Sequence, residues 1–366
     1  MARNQVDLIY GTAGFLDPHR LAIEQQDRTI EHTADYIVIA VGTRPSRPPE
    51  VPFDGETIID TDELLTLKRL PRSLIIVGAG VAGSEYATIA ATMGIRVSLI
   101  DRRPGLLEFV DREIIHALQS EMGQIGVNLF LNEVVVKIEK QDDGQILVSL
   151  KSGQQLIGST LMYSAGRIGA SNELHLEAIG IQPDERGRLQ VNNYFQTSLP
   201  HIYAVGDIIG FPSLASTSMQ QGRLAACHAF GLPFEVRTQL LPYGIYTIPE
   251  ISTVGPTEQE LIRNDVPYEI GIARFREIAR GKLIGDEIGM LKLLFHRQSR
   301  KLLGVHAIGE GVTELIHIGQ AVMTYGGKID YFLENVFNYP TLAECYMVAA
   351  LAGFNRLPRP WPPEAL

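Results

Sequence analysis

Three glycines spaced as Gly78-Ala-Gly80-Val-Ala-Gly83 can receive a dinucleotide pyrophosphate if a strand leads into them and a helix leads out. Leu74–Val77 is an apolar strand pattern, and the residues from Ser84 to Met93 read as a helix, so both conditions hold. Each glycine has its own task. Gly78 permits the tight turn, Gly80 lets the pyrophosphate reach bare backbone, and Gly83 lets helix and strand pack closely. Backbone N–H groups and the helix dipole then receive the phosphate charge. A reader of the adenosine ribose belongs at the end of the next strand, and Asp101 closes Val97-Ser-Leu-Ile-Asp101. A carboxylate accepts the ribose hydroxyls of NAD and repels a 2′-phosphate. Arg102 and Arg103 follow at once and supply the usual partner of that phosphate, so the pair predicts a pocket that takes both NAD and NADP.

The elements around this loop alternate between strand and helix, which defines an α/β protein. Short strands are predicted at Val6–Ile9, Thr12–Phe15, Arg20–Gln25 and Thr29–Thr33, and a buried parallel strand at Tyr36–Gly42. A proline-rich link leads to a helix over Thr61–Leu70 with Thr61 as N-cap. Beyond the βαβ unit, a helix is predicted at Asp111–Gly123. Strands are predicted at Val127–Leu131, Val134–Glu139, Ile146–Leu150, Leu156–Ser164 and Pro200–Asp207, and a helix from Leu214 to Phe230. After Pro233, strands at Tyr243–Thr247, Val254, Met290–His296 and Leu302–Ile308 alternate with helices at Thr257–Asn264, Gly311–Tyr325 and Ile329–Leu333. An apolar helix over Pro340–Asn355 and a disordered proline-rich tail end the chain.

Composition narrows the function classes. The 366 residues carry a net charge of −10 and no basic cluster longer than a pair, which argues against nucleic acid or an anionic membrane surface as partner. The longest near-apolar run, Tyr346–Phe354, is too short to span a bilayer, and no secretory signal pattern opens the chain. Two distant cysteines, Cys227 and Cys345, offer neither a disulfide framework nor a metal site. They are expected to be buried small hydrophobes in a cytoplasmic protein.

Further motifs carry a family resemblance. Ala40-Val-Gly-Thr-Arg-Pro45 resembles the strand-to-turn crossover of the flavoprotein pyridine nucleotide-disulfide oxidoreductases. Ser164-Ala-Gly166-Arg167-Ile-Gly169, followed by Asn172, resembles their second crossover without its usual proline, and Thr197–Asp207, ending Tyr-Ala-Val-Gly206-Asp207, resembles their flavin motif. The resemblance implies Rossmann-like FAD and NAD(P) domains plus a C-terminal α+β dimerisation domain from about Leu241, hence a homodimer. It places Gly166, Arg167, Gly206 and Asp207 among the cofactor-binding residues, with Asp207 on the ribityl chain of FAD. The helix opening at Leu214 and Ala215 is then aimed at the isoalloxazine ring, where its positive end favours the reduced, anionic form. Glu85 corresponds to a glutamate that pairs with a lysine beside the flavin. The implied borders are an incomplete FAD domain at 1–67, an NAD(P) domain at 68–190, a return segment at 191–237, a dimerisation domain at 238–357 and a tail at 358–366.

Position 339 selects the branch. Disulfide reductases of this family carry His-Pro-Thr-x-x-Glu, in which the glutamate holds the histidine as acid/base for thiol chemistry. This chain reads Tyr339-Pro-Thr-Leu-Ala-Glu344, and a phenol with a pKa of about 10 is a poor base near neutrality. The chain also lacks the terminal cysteine pair of the mercuric reductases. The resemblance therefore favours the transhydrogenase branch, which passes hydride between NADPH and NAD⁺ through FAD. A dihydrolipoamide dehydrogenase-like disulfide reductase and an inactive nucleotide-binding fragment are the alternatives. The chain holds one GxGxxG, and the family's first such loop is expected to lie in a segment this chain lacks. On that expectation the chain alone binds FAD poorly.

Overall fold

The structure, a computed structural model, describes residues 2–233 and 240–358. The expected tail at 358–366 therefore lies outside the described residues except for Pro358. In chain order the strands are β1 (Thr12–Asp17), β2 (Arg20–Glu24), β3 (Thr29–Thr33), β4 (Ile37–Ile39), β5 (Thr43–Pro45) and β6 (Ile58–Asp60). Next come α1 (Thr61–Leu64), β7 (Ser73–Val77), α2 (Val81–Thr92), β8 (Arg96–Asp101), α3 (Arg112–Gln124), β9 (Val127–Leu131), β10 (Val135–Lys140), β11 (Ile146–Leu150), β12 (Gln155–Gly158) and β13 (Thr160–Tyr163). They are followed by β14 (Arg167–Gly169), β15 (Ile202–Ala204), α4 (Ala215–Ala229), β16 (Tyr243–Ile245), β17 (Ile251–Val254), α5 (Glu258–Arg263) and β18 (Tyr268–Arg274). The last elements are α6 (Ala279–Ile284), β19 (Met290–His296), β20 (Leu302–Ile308), α7 (Val312–Thr324), α8 (Asp330–Glu334) and α9 (Glu344–Phe354).

These elements form two units, one of residues 1–46 and 166–237, the other of residues 47–165 and 238–366. In the first unit, β1, β2 and β3 form an antiparallel sheet, β4 runs parallel to β15, and β5 pairs antiparallel with β14. Ile37 and Ile39 of β4 enter a core with Phe15, Leu174, Ile202 and Ile208, whereas Val38 between them is 43% exposed. The apolar run at 36–42 is thus buried on alternate residues only, because one face of the two-stranded pair is covered. Val6–Ile9 forms no strand: Val6, Leu8 and Ile9 are exposed, and no strand among the described residues pairs with them.

In the second unit, β6-β13-β7-β8-β9 form a parallel sheet. α2 packs on one face, and the antiparallel sheet β10-β11-β12 closes the other through Ile146, Val148 and Leu150 against Ile58, Ile75 and Ile100. β6 belongs to this nucleotide sheet, so the segment assigned above to the FAD domain at 1–67 is divided between the units. The predicted strand at 156–164 is two strands in two sheets. The chain crosses at Ser159, whose N–H and hydroxyl bond Ser73 at 2.9 and 2.8 Å, and a Cβ on Gly158 would stand 2.9 Å from Ile75. The helix at 61–70 ends at Leu64, and its N-cap is Asp60, not Thr61. Asp60 and Glu63 complete a capping box, and Thr66 Oγ1 then takes the Glu63 carbonyl at 2.9 Å, competing with further helix. α2 starts at Val81, inside the glycine loop, rather than at Ser84, and the last helix starts at Glu344 rather than Pro340.

The remaining sheet, β16-β17-β20-β19-β18, is antiparallel and is covered by α7 and α9. β18 and α6 escape the sequence reading. Gly271 lies in the middle of β18 because a Cβ there would overlap the Ala349 carbonyl of α9. Cys345 is buried as expected; Cys227 is only half-buried, since Leu224 and Ala225 take the inward positions of α4.

One ionic network joins the nucleotide sheet region to this antiparallel sheet. Lys292 in β19 is fully buried, and its Nζ donates to Asp111 Oδ1 at 2.9 Å and Glu258 Oε2 at 2.6 Å, with Glu113 Oε2 at 3.2 Å. Burial alone would raise the Asp111 carboxyl. The His306 ring, the Lys292 ammonium and the Glu258 N–H outweigh it and hold it below its ordinary value. His306 is itself pushed down by burial, partly offset by the Asp111 charge. A depressed carboxyl stabilises the fold fully above its unfolded pKa, about 3.9, and that contribution is lost as pH falls through the lower folded value. The stability gap between wild type and Asp111→Asn should therefore be constant above about pH 5 and shrink below about pH 4. Urea unfolding of both proteins across pH 3–7 checks it, and a gap that widens on acidification would contradict the assignment.

Candidate nucleotide-binding site

The glycine loop is built from β7, the turn at Gly78 and the first turn of α2. Gly78 has φ +107°, a left-handed conformation that glycine tolerates, and a Cβ there would press on Ala165 N at 2.8 Å. A Cβ on Gly83 would overlap the Gly78 carbonyl and stand 2.7 Å from Ser164 Oγ, so helix and loop touch backbone to backbone. Gly80 differs: a Cβ there would meet nothing within 4 Å. That open space lies at the N-cap of α2, where no side chain caps the helix and the first-turn N–H groups are available to an anion. The cradle therefore has the shape and donors that a pyrophosphate requires. Ser164 supports it from the neighbouring strand end, donating to Gly78 O at 2.7 Å. Its place just beyond β13 was the available signal.

Asp101 stands where the ribose reader is expected, at the end of β8, and is only 6% exposed. Its carboxylate accepts the Ala79 N–H at 2.7 Å, the Arg103 N–H at 2.8 Å, and Arg103 Nε and Nη2 at 3.0 and 2.8 Å. Burial alone would raise its pKa, and these bonds lower it below the ordinary value. Arg103 thus turns inward onto Asp101, whereas Arg102 is exposed.

Glu85 follows on the next turn of α2. Its Oε1 accepts the Tyr246 N–H at 2.8 Å, and Thr88 Oγ1, one turn along, accepts the Ile248 N–H at 3.0 Å. Burial raises the Glu85 pKa, and the Tyr246 bond offsets it in part. Tyr246 and Thr88 were missed by the sequence reading. Their signal is the i, i+3 placement of Glu85 and Thr88 on one helix face.

In the other unit, β5 and β14 bring the two crossover motifs together in register, Arg167 opposite Pro45 and Gly169 opposite Thr43. Arg167 donates through Nε to Thr43 Oγ1 and through Nη2 to the Thr43 carbonyl, both at 2.8 Å, and Ser46 N–H bonds Gly166 O at 3.1 Å. Thr43 Oγ1 stands 3.5 Å from Asp207 Oδ2. Asp207 is half-buried in a 3-10 turn over Gly206–Ile209, after the buried strand β15. Gly206 has φ +78°, donates its N–H to Gln221 at 2.7 Å and abuts Ser218, so the turn packs against the first turns of α4. Leu214 is the N-cap of α4; its carbonyl is bonded by Thr217 Oγ1, and Ala215 is exposed. Asp207, Arg167, Gly166, Gly206 and the α4 N-terminus therefore form one group. Tyr339 is 73% exposed, while Glu344 opens α9 with Oε2 buried and unbonded among the described residues. Neither is hydrogen-bonded to the other residues named here.

A glycine cradle at a βα turn, an acid at the next strand end and a pair of crossover turns define a two-unit, dinucleotide-binding oxidoreductase scaffold. Residues 1–222 match the pyridine nucleotide-disulphide oxidoreductase family, and residues 241–350 match the dimerisation domain of that family. The chain belongs to the pyridine nucleotide-disulphide oxidoreductases. It is 49% identical to a soluble pyridine nucleotide transhydrogenase of Mycobacterium bovis, over 98% of this chain and 76% of that protein. It is likewise 49% identical to the protein of that name from Klebsiella pneumoniae, over 97% of this chain and 77% of the relative. Among solved structures, LpdA of Mycobacterium tuberculosis aligns with a TM-score of 0.85 at 28% identity, covering 94% of this chain and 75% of the other. The flavoprotein disulfide reductase RclA of Escherichia coli aligns with 0.88 at 26% identity, covering 94% and 79%.

Proposed function

We propose that the chain belongs to a flavoprotein oxidoreductase that transfers hydride between NADPH and NAD⁺, with NAD(H) and NADP(H) as its substrates and FAD as its cofactor. The observation that carries this reading is Tyr339 in place of the thiol-handling histidine, on a chain whose glycine cradle is complete. Gly78, Gly80 and Gly83 hold the nucleotide pyrophosphate, Asp101 reads a free ribose and Arg102 a phosphorylated one. When bound, FAD supplies the two-electron relay between the nicotinamides. Asp207, steadied by Thr43 and Arg167, holds the ribityl chain, and the first-turn N–H groups of α4 face the ring with their positive dipole end. Glu85 carries a proton more readily than an ordinary glutamate and orders the Tyr246 backbone beside the nucleotide helix. Tyr339 lends a hydroxyl for orientation, not a base for proton transfer, and Glu344 sets the start of the helix behind it. The reading extends to a homodimer assembled through the 241–350 segment and working in the cytoplasm, supported by the match of that segment to a dimerisation domain. No helix among the described residues is long and apolar enough to cross a membrane.

The deciding assay gives purified, FAD-supplemented protein NADPH with thio-NAD⁺, and separately NADH with lipoamide. Nucleotide-to-nucleotide transfer exceeding lipoamide reduction by at least roughly tenfold, a barrier difference of about 1.4 kcal/mol, is expected. Brisk lipoamide turnover without transfer to thio-NAD⁺ would favour the disulfide-reductase branch instead.

A further inference from the structure

The Asp101 carboxylate offers about four lone-pair sites, and the structure fills all four. Two are held by backbone, the N–H groups of Ala79 and Arg103 at 2.7 and 2.8 Å. The other two are held by the Arg103 side chain, Nε at 3.0 Å and Nη2 at 2.8 Å. A nucleotide ribose brings two hydroxyl donors, so it can reach this carboxylate only by taking the two positions that the guanidinium occupies. The backbone donors cannot leave, because they belong to the glycine loop and the strand end. The guanidinium can: the Arg103 side chain is 42% exposed, and the loop beyond it is exposed at Pro104, Glu108 and Phe109.

We infer that Arg103 is a displaceable counter-ion that sets nucleotide specificity by moving between Asp101 and the nucleotide's 2′ position. This inference rests on the nucleotide-binding reading above. With NAD(H), the ribose hydroxyls replace Nε and Nη2 on Asp101, and the displaced arginine turns toward Glu108, whose charge already acts on it. With NADP(H), the guanidinium leaves Asp101 for the 2′-phosphate, beside the exposed Arg102. Asp101 then keeps its charge on the Ala79 and Arg103 N–H groups, without facing the phosphate unscreened. The movement is a side-chain rotation and requires no change in the loop backbone. One site therefore serves both nucleotides at similar cost, and in each case the same arginine–carboxylate pair is broken.

Two consequences separate this device from a fixed phosphate clamp and from a structural ion pair. A fixed clamp would leave NAD⁺ affinity indifferent to Arg103. A structural pair would make both affinities fall when it is removed. A displaceable counter-ion predicts opposite signs. Titration calorimetry of the full chain with NAD⁺ and with NADP⁺ should show Arg103→Ala weakening NADP⁺ by at least tenfold while tightening NAD⁺ about two- to tenfold. Arg103→Lys should give the same signs with smaller changes, because an ammonium cannot span both carboxylate oxygens, and it guards against a misfolded alanine variant. Arg102→Ala should weaken NADP⁺ and leave NAD⁺ unchanged. Equal losses for both nucleotides in Arg103→Ala and Arg103→Lys, with thermal midpoints unchanged, would overturn the inference while leaving the nucleotide site in place. A wild-type chain that bound neither nucleotide would overturn the underlying reading as well.

Discussion

Lys292→Ala should lower the stability of the chain by about 3–5 kcal/mol, the usual consequence of removing one partner from a buried ion pair. The lysine is fully buried, as is Asp111, and no solvent reaches the carboxylate to replace the lost ammonium. Asp111 also caps α3, accepting the Glu113 N–H at 3.1 Å, so a protonated or displaced side chain would loosen the helix start too. Lys292→Met should be nearly as damaging, since it restores packing without restoring charge. Adding Asp111→Asn to Lys292→Met should recover part of the loss, because the remaining polar group is neutral. Urea unfolding midpoints at pH 7 measure all three, and an unchanged midpoint in Lys292→Ala would show that the buried carboxylates do not depend on the ammonium. The acidic trio Asp111, Glu113 and Glu258 has the spacing of a cation site, and the chain's own ammonium already occupies it.

Gly80→Ala and Gly83→Ala should separate nucleotide binding from folding within one hexapeptide. The Gly80 methyl enters space that the protein itself leaves open, so the thermal midpoint should not move. The same methyl fills the pyrophosphate seat and should cost at least roughly tenfold in NAD⁺ affinity, about 1.4 kcal/mol. Gly83→Ala forces a methyl into the Gly78 carbonyl and should lose both binding and several degrees of thermal midpoint. Calorimetric titration with NAD⁺ beside thermal unfolding reads both quantities. A Gly80→Ala protein that binds NAD⁺ as well as wild type would remove the pyrophosphate from this loop.

Several parts of the site were legible without coordinates. The order strand, Gly78–Gly83, helix, acid-ended strand is local in sequence, and the backbone requirements of a tight turn and a close helix–strand contact dictate glycine wherever they occur. Local patterns also gave Asp111 at a helix start and the apolar β19. The failures were equally physical. Leu156–Ser164 reads as one strand because its apolar pattern barely pauses, and only the Ser73–Ser159 bonds show the chain passing between sheets. β18 went unread with a glycine at its centre, because the α9 backbone that demands Gly271 lies 78 residues later, at Ala349.

The same division holds for function. Sequence alone determined which groups are available: a glycine cradle, one acid, two arginines, an Asp207 after Gly206 and a phenol at position 339. It could not say how Arg103 is used, because an arginine two residues after an acid can face solvent, a phosphate or that acid. The tertiary structure decided it by burying Asp101 beside the Ala79 N–H, where the Arg103 side chain donates to both carboxylate oxygens. It likewise decided that Lys292, an unexplained charge in an apolar strand, answers to carboxylates 181 and 34 residues away. Pairings of that range follow from how the sheets meet, and local sequence carries no trace of them.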